Sequence, residues 1–541
     1  PGGNKLGLPA GRYVLRTGAP ARSAADYARA TLADSFNSLP YNYSQTPSER
    51  LSGWLQGSLP LTGQTTLFFE ALGSRRNSSQ RLAPTPYFSN IDGAPLLADG
   101  SNGIPATNYY NPFGVDLAVV RRRFVEIDDR GFEEDVHLWR ALGGLRGSLR
   151  GWQWELYAGD SQSVATTREN GLIPLDRLLP AVGPSGPDAT GRIVCGVPGA
   201  GGIVPAANIL PGCVPVDLFH GPGTVTPAQV AYLQQSLSDR GTNSQQLVNL
   251  NAVGTAGSIS GRPVSVSMGL SYRREAGRYQ YDAARGSGVL SQLQADVPGG
   301  DFDAKEAYAE TRMTLLHDQP WIRELELSGG VRHSTFSTFG AHSAWQAGLR
   351  WQPGTNLSLR ASHATGYRAP GIAELYQVQV PGLDNELSDP CGNDPTPAQQ
   401  RSCAAHGVPG GSYVQNFDDS YAVVTGGNPG LQPERSRSFN AGVDLHWNGR
   451  IAGRASVGYF RTEVTGFISQ AATSALLSAC IDENRAAACD RITRNADGSL
   501  RRVVATAQNF GQLTVRGLDF TLDAQAETAF GRLQGGVLTT L

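Results

Sequence analysis

The strongest constraint on the fold is an alternation of apolar and polar residues with a period of two, which is clearest over residues 341–362. Trp345 and Trp351 lie in the apolar row of the first half, and a turn at 352–354 leads into a second alternating segment. Because successive side chains of a strand point to opposite faces, the pattern predicts a β-hairpin with one apolar face. A soluble sandwich would bury that face in its core, whereas a membrane barrel turns it toward lipid.

The same alternation recurs along the chain and predicts about fourteen strands in seven hairpins. Their connections alternate between short turns and long polar segments, of which 165–244 is the longest. Outer-membrane barrels show this arrangement, with short periplasmic turns and long extracellular loops. We therefore predict an all-β fold, a partial antiparallel transmembrane β-barrel over residues 49–541, preceded by a loop region at 1–48. Short helices are expected at 24–33 and 227–237.

Composition excludes several classes of protein. The formal net charge of −2 gives no electrostatic basis for binding nucleic acid. No run of about 18 apolar residues is present, so transmembrane helices are not expected. This result is compatible with barrel strands, which need only about ten residues, half of them polar.

Six cysteines fall into three local pairs in segments that read as loops. An even number of cysteines in such segments favours disulfides and an oxidising compartment, although sequence alone does not determine their pairing. The close Cys-x-x-Cys or Cys/His spacing of a metal site is missing, and the eight histidines are scattered, so no metal site is expected. The candidate disulfide partners are Cys195 with Cys213, Cys391 with Cys403, and Cys480 with Cys489.

Two polar segments have both a structural and a functional interpretation. The run Arg121–Arg123 is either a solvated part of a loop hairpin, which we favour, or an anion-binding patch. The Tyr- and Asn-bearing segment 108–111 is either a ligand contact or a rigid turn, and the second interpretation is at least as good. No nucleophile motif or phosphate-binding loop is present, so no catalytic residues are predicted.

Three spaced motifs resemble those of the TonB-dependent outer-membrane receptors. The first is an aromatic-Arg-Ala-Pro sequence after a strand, the second is similar to the family's GNPxLxPE signature, and the third is similar to its later Gly-x-Asp strand. Together they are specific, whereas each alone is weak. The matching positions are Tyr367, Arg368, Ala369, Pro370, Asn428, Pro429, Leu431, Pro433, Glu434, Gly517 and Asp519.

This resemblance implies a 22-stranded barrel in the outer membrane of a Gram-negative bacterium, filled by an N-terminal plug domain. It implies a receptor without enzyme activity or cofactor, which takes up a scarce nutrient such as a ferric siderophore or a carbohydrate. Its expected partners are outer-membrane lipid, the small nutrient ligand and the TonB energy-coupling protein. That protein acts through a TonB box ahead of the plug. A monomer is expected, and the plug, the TonB box and about eight strands are expected to be absent from this chain.

Two alternatives are a passive porin, which needs no plug, and a soluble all-β binding protein, which would carry charge on both sheet faces. Arg368 and Glu434 are expected to fix a loop at the barrel rim rather than to bind ligand. The ligand and its contact residues cannot be identified from the sequence, since the loops 75–115 and 165–244 would supply them together with the plug.

Overall fold

The computed structural model describes residues 12–89, 93–98, 101–127, 130–289, 299–377, 379–384, 388–415 and 421–541. Its main feature is one antiparallel sheet of fourteen strands. These strands, named β1 to β14 here, are Ser48–Thr62, Thr65–Arg81, Gly131–Leu149, Trp152–Leu172, Gln235–Ile259, Arg262–Gln280, Gly300–Gln319, Ile322–Phe336, Gly340–Gln352, Leu357–Arg368, Glu434–Trp447, Ile451–Gln470, Ala507–Thr528 and Gly531–Thr540.

Each strand of the sheet pairs with the next one along the chain, so the topology is an up-and-down meander. Among the described residues, β1 and β14 each have one unpaired edge. The predicted hairpins and the alternation of short and long connections are confirmed, with one exception. The connection 337–339 between β8 and β9 has only three residues although it lies on the side of the long loops.

The apolar rows of the strands are accessible rather than packed into a core. Trp345 is 47%, Leu349 45%, Val443 43% and Leu518 46% exposed. A soluble sandwich would have buried these side chains, so that alternative is wrong. Outward-facing apolar rows are the arrangement that a lipid-facing barrel wall requires.

The opposite face of the sheet carries a series of ion pairs between strands. Arg350 lies 3.8 Å from Glu324, and Arg360 lies 3.1 Å from Asp444. Further along the sheet, Arg454 Nε lies 2.7 Å from Asp523. Because these pairs and the apolar rows occupy alternate positions of the same strands, the two faces differ in chemistry as predicted.

Tryptophans near the short turns lie over glycines of adjacent strands. A Cβ atom built on Gly453 would come within 2.5 Å of the Trp447 ring, and one on Gly254 would come as close to Trp152. Glycine is required at these two positions because the aromatic ring occupies the space of a side chain. Aromatic residues therefore cover the turn end of the wall.

A short helix shows which face of the sheet is concave. Six α-helices occur in the described residues, and the third, α3, begins four residues after the end of β10. It packs against β7 and β6, three and four strands away, where Cβ atoms on Gly300 and Gly277 would lie within 2.5 Å of Tyr376 and Ile372. The polar face therefore curves around the interior. The helices are α1 Leu175–Ala181, α2 Pro227–Leu233, α3 Ile372–Tyr376, α4 Pro397–Ala405, α5 Thr473–Ile481 and α6 Ala486–Cys489.

The loops between β2 and β3 and between β4 and β5 form a first compact unit, the N-terminal lobe (82–130 and 173–234). Its hydrophobic core includes Tyr87, Phe124 and Leu178, all fully buried. The disulfide Cys195–Cys213, with an S–S distance of 1.99 Å, lies in the second loop. Two-stranded sheets pair Pro86–Phe88 with Arg121–Arg123 and Ser185–Pro187 with Ile193–Cys195.

The loops between β10 and β11 and between β12 and β13 form the C-terminal lobe (369–433 and 471–506). They share a four-stranded sheet, in which a strand of the first loop pairs in parallel with a strand of the second. The disulfides Cys391–Cys403 and Cys480–Cys489 lie in one hydrophobic cluster of this lobe. In order, the strands of this sheet are Val380–Asp384, Tyr421–Thr425, Leu500–Val504 and Ile492–Arg494.

The structure corrects three details of the sequence interpretation. The loop predicted at 165–244 is shorter than expected, since one flanking wall strand continues to Leu172 and the other begins at Gln235. The prediction missed these ends because the upper parts of the two strands lack the alternation. The helix expected at 24–33 is wrong, since a strand, Tyr27–Arg29, interrupts that segment. The helix expected at 227–237 is present but ends at Leu233. No helix in the described residues is long and apolar enough to cross a membrane.

Candidate functional site

The loop end of the sheet is organised around one arginine, Arg368, at the last position of β10. Its guanidinium donates to Glu434 at 2.9 Å from Nε and 2.7 Å from Nη2. It also donates to Glu374 in α3, with two bonds of 2.9 Å. A planar guanidinium that binds two carboxylates fixes their directions as well as their distances. Arg368 therefore holds the start of the loop, its end and α3 together.

Glu434 is the more buried acid of this group and has a second donor. The backbone N–H of Ile468 in β12 donates to Glu434 Oε1 at 2.8 Å. Hydrogen bonds from Arg368 lower the pKa of Glu434, against the opposing effect of burial, and the same bonds raise the pKa of Arg368. Both residues lie beyond the apolar rows of their strands, and both stay ionised at neutral pH.

The second motif closes the same junction. Asn428 N–H donates to Glu374 O at 2.8 Å, and Asn428 Nδ2 donates to Ala507 O at 3.1 Å. Leu431 is 2% exposed, in a cluster with Leu375 and Ile468. Pro370, Pro433 and Glu434 are buried, Ala369 is partly buried, and Pro429 is exposed. The first two motifs thus meet in one structural unit, which we call the rim junction.

Tyr367 extends the rim junction toward the interior. Its hydroxyl donates to Ser334 Oγ, and Ser334 donates to Glu306 Oε1 at 2.7 Å. The Tyr367 ring packs edge-on against Phe336, with ring centroids 6.1 Å apart. Ser334 is fully buried, so the middle of this chain of hydrogen bonds is shielded from water, while Tyr367 and Glu306 are partly exposed.

The third motif lies elsewhere. Gly517 and Asp519 are in the middle of β13, where Gly517 gives room to the ring of Phe460 and Asp519 accepts from Thr540 Oγ1 at 2.7 Å. These two positions therefore belong to the wall. This agrees with the sequence interpretation, which assigned the third motif to a later strand.

The two polar segments of uncertain role are both built into the N-terminal lobe. Arg122 forms an ion pair with Glu126 at 2.5 Å, and both side chains are nearly buried. Glu126 also accepts from the backbone N–H of Gly223 and Thr224 in the other loop. Arg122 is therefore a buried structural residue rather than a solvated one, and the structure gives no support to an anion-binding patch.

Segment 108–111 has the geometry of a turn. Asn108 Nδ2 donates to Val182 O and Gly183 O, and Asn111 Nδ2 donates to Pro105 O and Val115 O. Both asparagines are engaged by the backbone, which favours the rigid-turn interpretation.

The structure brings together one group of potential metal ligands that the spacing of residues in the sequence did not indicate. Within the described residues, ligand atoms of His406, Cys480 and Cys489 lie within 4.8 Å of one another. The loop fold brings His406 there from the preceding loop. The two sulfurs are bonded to each other, so neither is a thiolate ligand.

The sequence matches the family described as TonB dependent receptor-like, beta-barrel over residues 80–540. The chain belongs to this family. The sheet topology, the outward apolar rows and the rim junction are thus those of part of a TonB-dependent receptor barrel.

Three solved structures show the range of similar proteins. A mutant of the ferric enterobactin receptor PfeA from Pseudomonas aeruginosa is 15% identical, with 92% of this chain and 51% of that chain covered and a TM-score of 0.44. The siderophore receptor PirA from Acinetobacter baumannii is 12% identical, with 92% and 53% covered and a TM-score of 0.44. The RagAB peptide importer is 12% identical, with 91% and 47% covered and a TM-score of 0.44. The chain therefore spans about half the length of the structures that it matches.

In this TonB-dependent receptor, the rim junction fixes where α3 lies. Ile372 and Tyr376 of α3 join an aromatic cluster with Phe302, Phe336 and Phe339 at the loop end of the interior. The cluster lies at the loop end of the polar face, beyond the ion pairs between the strands.

Proposed function

We propose that this chain is the wall and extracellular part of an outer-membrane receptor that takes up a scarce small nutrient, such as a ferric siderophore or a carbohydrate. The match to the TonB-dependent receptor family over residues 80–540 carries this proposal. Long loops with hydrophobic cores of their own also support it, because a rigid surface loses less entropy when it binds a ligand.

Residues 49–541 are proposed to be part of a larger closed barrel. The unpaired edges of β1 and β14 support this, since an exposed edge strand is prone to pair with another chain and barrels remove such edges. Energy coupling through the TonB protein, a plug domain and a monomeric state are parts of the same proposal.

A growth experiment tests the function. The gene for the full-length receptor is deleted from its host, and growth is measured on defined iron sources and on defined carbohydrates. We expect a defect on one nutrient class, which the intact gene restores and which deletion of the TonB gene reproduces. A passive porin would be indicated if the deletion phenotype persisted but loss of TonB had no effect on uptake.

A further inference from the structure

The outward face of β11 to β13 carries an excess of arginine immediately above the apolar row. Arg461 and Arg516 lie directly opposite each other on adjacent strands, level with Phe439. One position further from the membrane, Arg437 faces Glu463. Like charges opposite each other destabilise a sheet, so the placement of Arg461 beside Arg516 has a cost within the wall.

The charges of this patch are not balanced within the described residues. Glu463 is the only acid among four arginines, which are Arg435, Arg437, Arg461 and Arg516. Its carboxylate lies 3.6 Å from Arg461 and accepts from Gln512 Nε2 at 2.8 Å. All four arginines are exposed. We call these four residues the arginine patch.

A break in the wall lies beside the arginine patch. The ladder between β9 and β10 ends at Gln346 and Ala364, although β9 begins at Gly340 and β10 continues to Arg368. Above this point Trp345 N–H donates to the side chain of Thr365 at 3.0 Å. The opening forms a cavity of about 530 Å³, whose lining includes Arg435, Arg437, Ser343, Trp345 and Thr365.

The opposite part of the wall provides an internal comparison. Above the apolar row on the outward face there, Arg75 pairs with Asp135 at 2.6 Å, and His137 lies 3.0 Å from the same carboxylate. Arg168 lies opposite Glu133. Charges above the apolar row are therefore neutralised on β2 to β4 and left positive on β11 to β13.

We propose that the arginine patch and the adjoining cavity bind the phosphates of an anionic glycolipid in the outer leaflet of the membrane. Guanidinium groups bind phosphate through charge-assisted, bidentate hydrogen bonds. The acyl chains then lie against the exposed apolar side chains beside and below the patch, which are Phe439, Val443 and Leu518. The nutrient is not the occupant, because these arginines are on the face opposite the polar interior. The inference rests on the proposed outer-membrane location.

Lipid retention by the purified full-length receptor tests the proposal. Native mass spectrometry in detergent would measure binding of diphosphorylated lipid A, of the same lipid with one phosphate removed, and of inorganic phosphate. The triple variant R437Q/R461Q/R516Q should bind diphosphorylated lipid A at least about tenfold more weakly than the unchanged protein. The control R75Q/R168Q should differ by less than about twofold, because Arg75 is paired with Asp135 and Arg168 lies opposite the carboxylate of Glu133.

Each result supports or overturns the site. Weaker binding after removal of a phosphate supports it, whereas equal binding by the control and the triple variant overturns it. Full displacement of the lipid by an equal concentration of inorganic phosphate would indicate a free-anion site and overturn the lipid assignment. The single variant Arg461→Gln guards against misfolding. Without lipid its heat stability should stay close to that of the unchanged protein, since it removes both the Arg461–Arg516 repulsion and the exposed ion pair with Glu463. With lipid it should be less stable than the unchanged protein.

The failure of this proposal can be distinguished from failure of the proposed function. If the receptor fractionates with the outer membrane and supports uptake while the triple variant retains lipid fully, only the lipid site is wrong. Absence of the receptor from the outer membrane would remove the basis of both.

Discussion

The wall and the two lobes are stabilised in different ways. The wall is a hydrogen-bonded ladder whose large apolar side chains remain exposed, whereas each lobe buries its apolar side chains in a core of its own. The wall therefore depends on lipid for its hydrophobic stabilisation. The lobes extend into water and depend on burial, ion pairs and disulfides. Changes in the two regions should consequently have separate effects.

The largest effect is expected from the buried ion pair of the C-terminal lobe. Arg494 and Asp389 lie 2.5 Å apart with side-chain exposures of 5% and 0%. Asp389→Ala leaves a buried guanidinium uncompensated and should destabilise this lobe by about 3–5 kcal/mol. Hydrogen exchange should rise in strands 421–425 and 500–504 and stay unchanged in the wall.

The control for that variant is Arg485→Ala, which removes an exposed ion pair with Glu483 in the same lobe. It should change local stability by less than about 1 kcal/mol. Faster exchange throughout β9 to β12 in Asp389→Ala would show that wall and lobe unfold together.

The next largest effect is expected in the wall. Leu349→Arg places a charge in the outward apolar row and should destabilise the barrel by about 2–4 kcal/mol. Urea unfolding of the full-length receptor in lipid vesicles would measure this. Gln346→Arg, on the opposite face of the same strand, should be nearly neutral, and an equal loss in both variants would contradict the assignment of faces.

Disulfides should matter only in the lobes. The double variant C480S/C489S opens a loop with a sequence separation of 9 and should destabilise the C-terminal lobe by about 3 kcal/mol. Limited proteolysis should then cut within 471–506 while the barrel keeps its mobility on unheated gels. C195S/C213S should sensitise the N-terminal lobe alone.

A smaller effect is expected where α3 touches the wall. Gly300→Ala adds a methyl group at the position of the Tyr376 ring and should destabilise the packing of α3 by about 1–3 kcal/mol. Faster hydrogen exchange of the Leu375 amide, which donates to Gly371 O at 3.0 Å, would report the displacement. Gly73→Ala is the control, since a Cβ atom there meets nothing within 4 Å.

The smallest effect is a pH dependence at the rim junction. Because the pKa of Glu434 is lowered in the folded protein, its contribution is fully present above the ordinary carboxyl pKa. The contribution is lost as the pH falls through the lowered value. Protection of the Ile468 amide, which is its exchange rate relative to the intrinsic rate at the same pH, should therefore fall in acid, and Glu434→Gln should remove that dependence. An unchanged profile in the variant would contradict this assignment.

The wall was predictable from sequence because period two follows directly from strand geometry when one face meets lipid and the other water. The alternation through Trp345, Leu349 and Trp351 shows this most clearly. The alternation ends above the apolar rows, because both faces of the sheet meet water there. The predicted ends of β4 and β5 were therefore too short.

The lobes were not predictable in the same way. Their strands are short and their contacts join distant segments, such as Asp389 with Arg494. The rim junction was partly predictable. The motifs identified Arg368 and Glu434 as residues that fix a loop, but the ion pair of Glu374 with Arg368 depends on where α3 lies in the fold. The local pairing of cysteines could be anticipated, while the approach of His406 to Cys489 could not.

The shared sheet of the C-terminal lobe bears on how such receptors diversify. Strands 421–425 and 500–504 come from two different loops, yet they are adjacent partners in one ladder. If one of these loops were replaced by the loop of a homologue, the strand of the other loop would lose its hydrogen-bonding partner and expose an unpaired edge. The two segments should thus be inherited, or transplanted by an engineer, as a matched set.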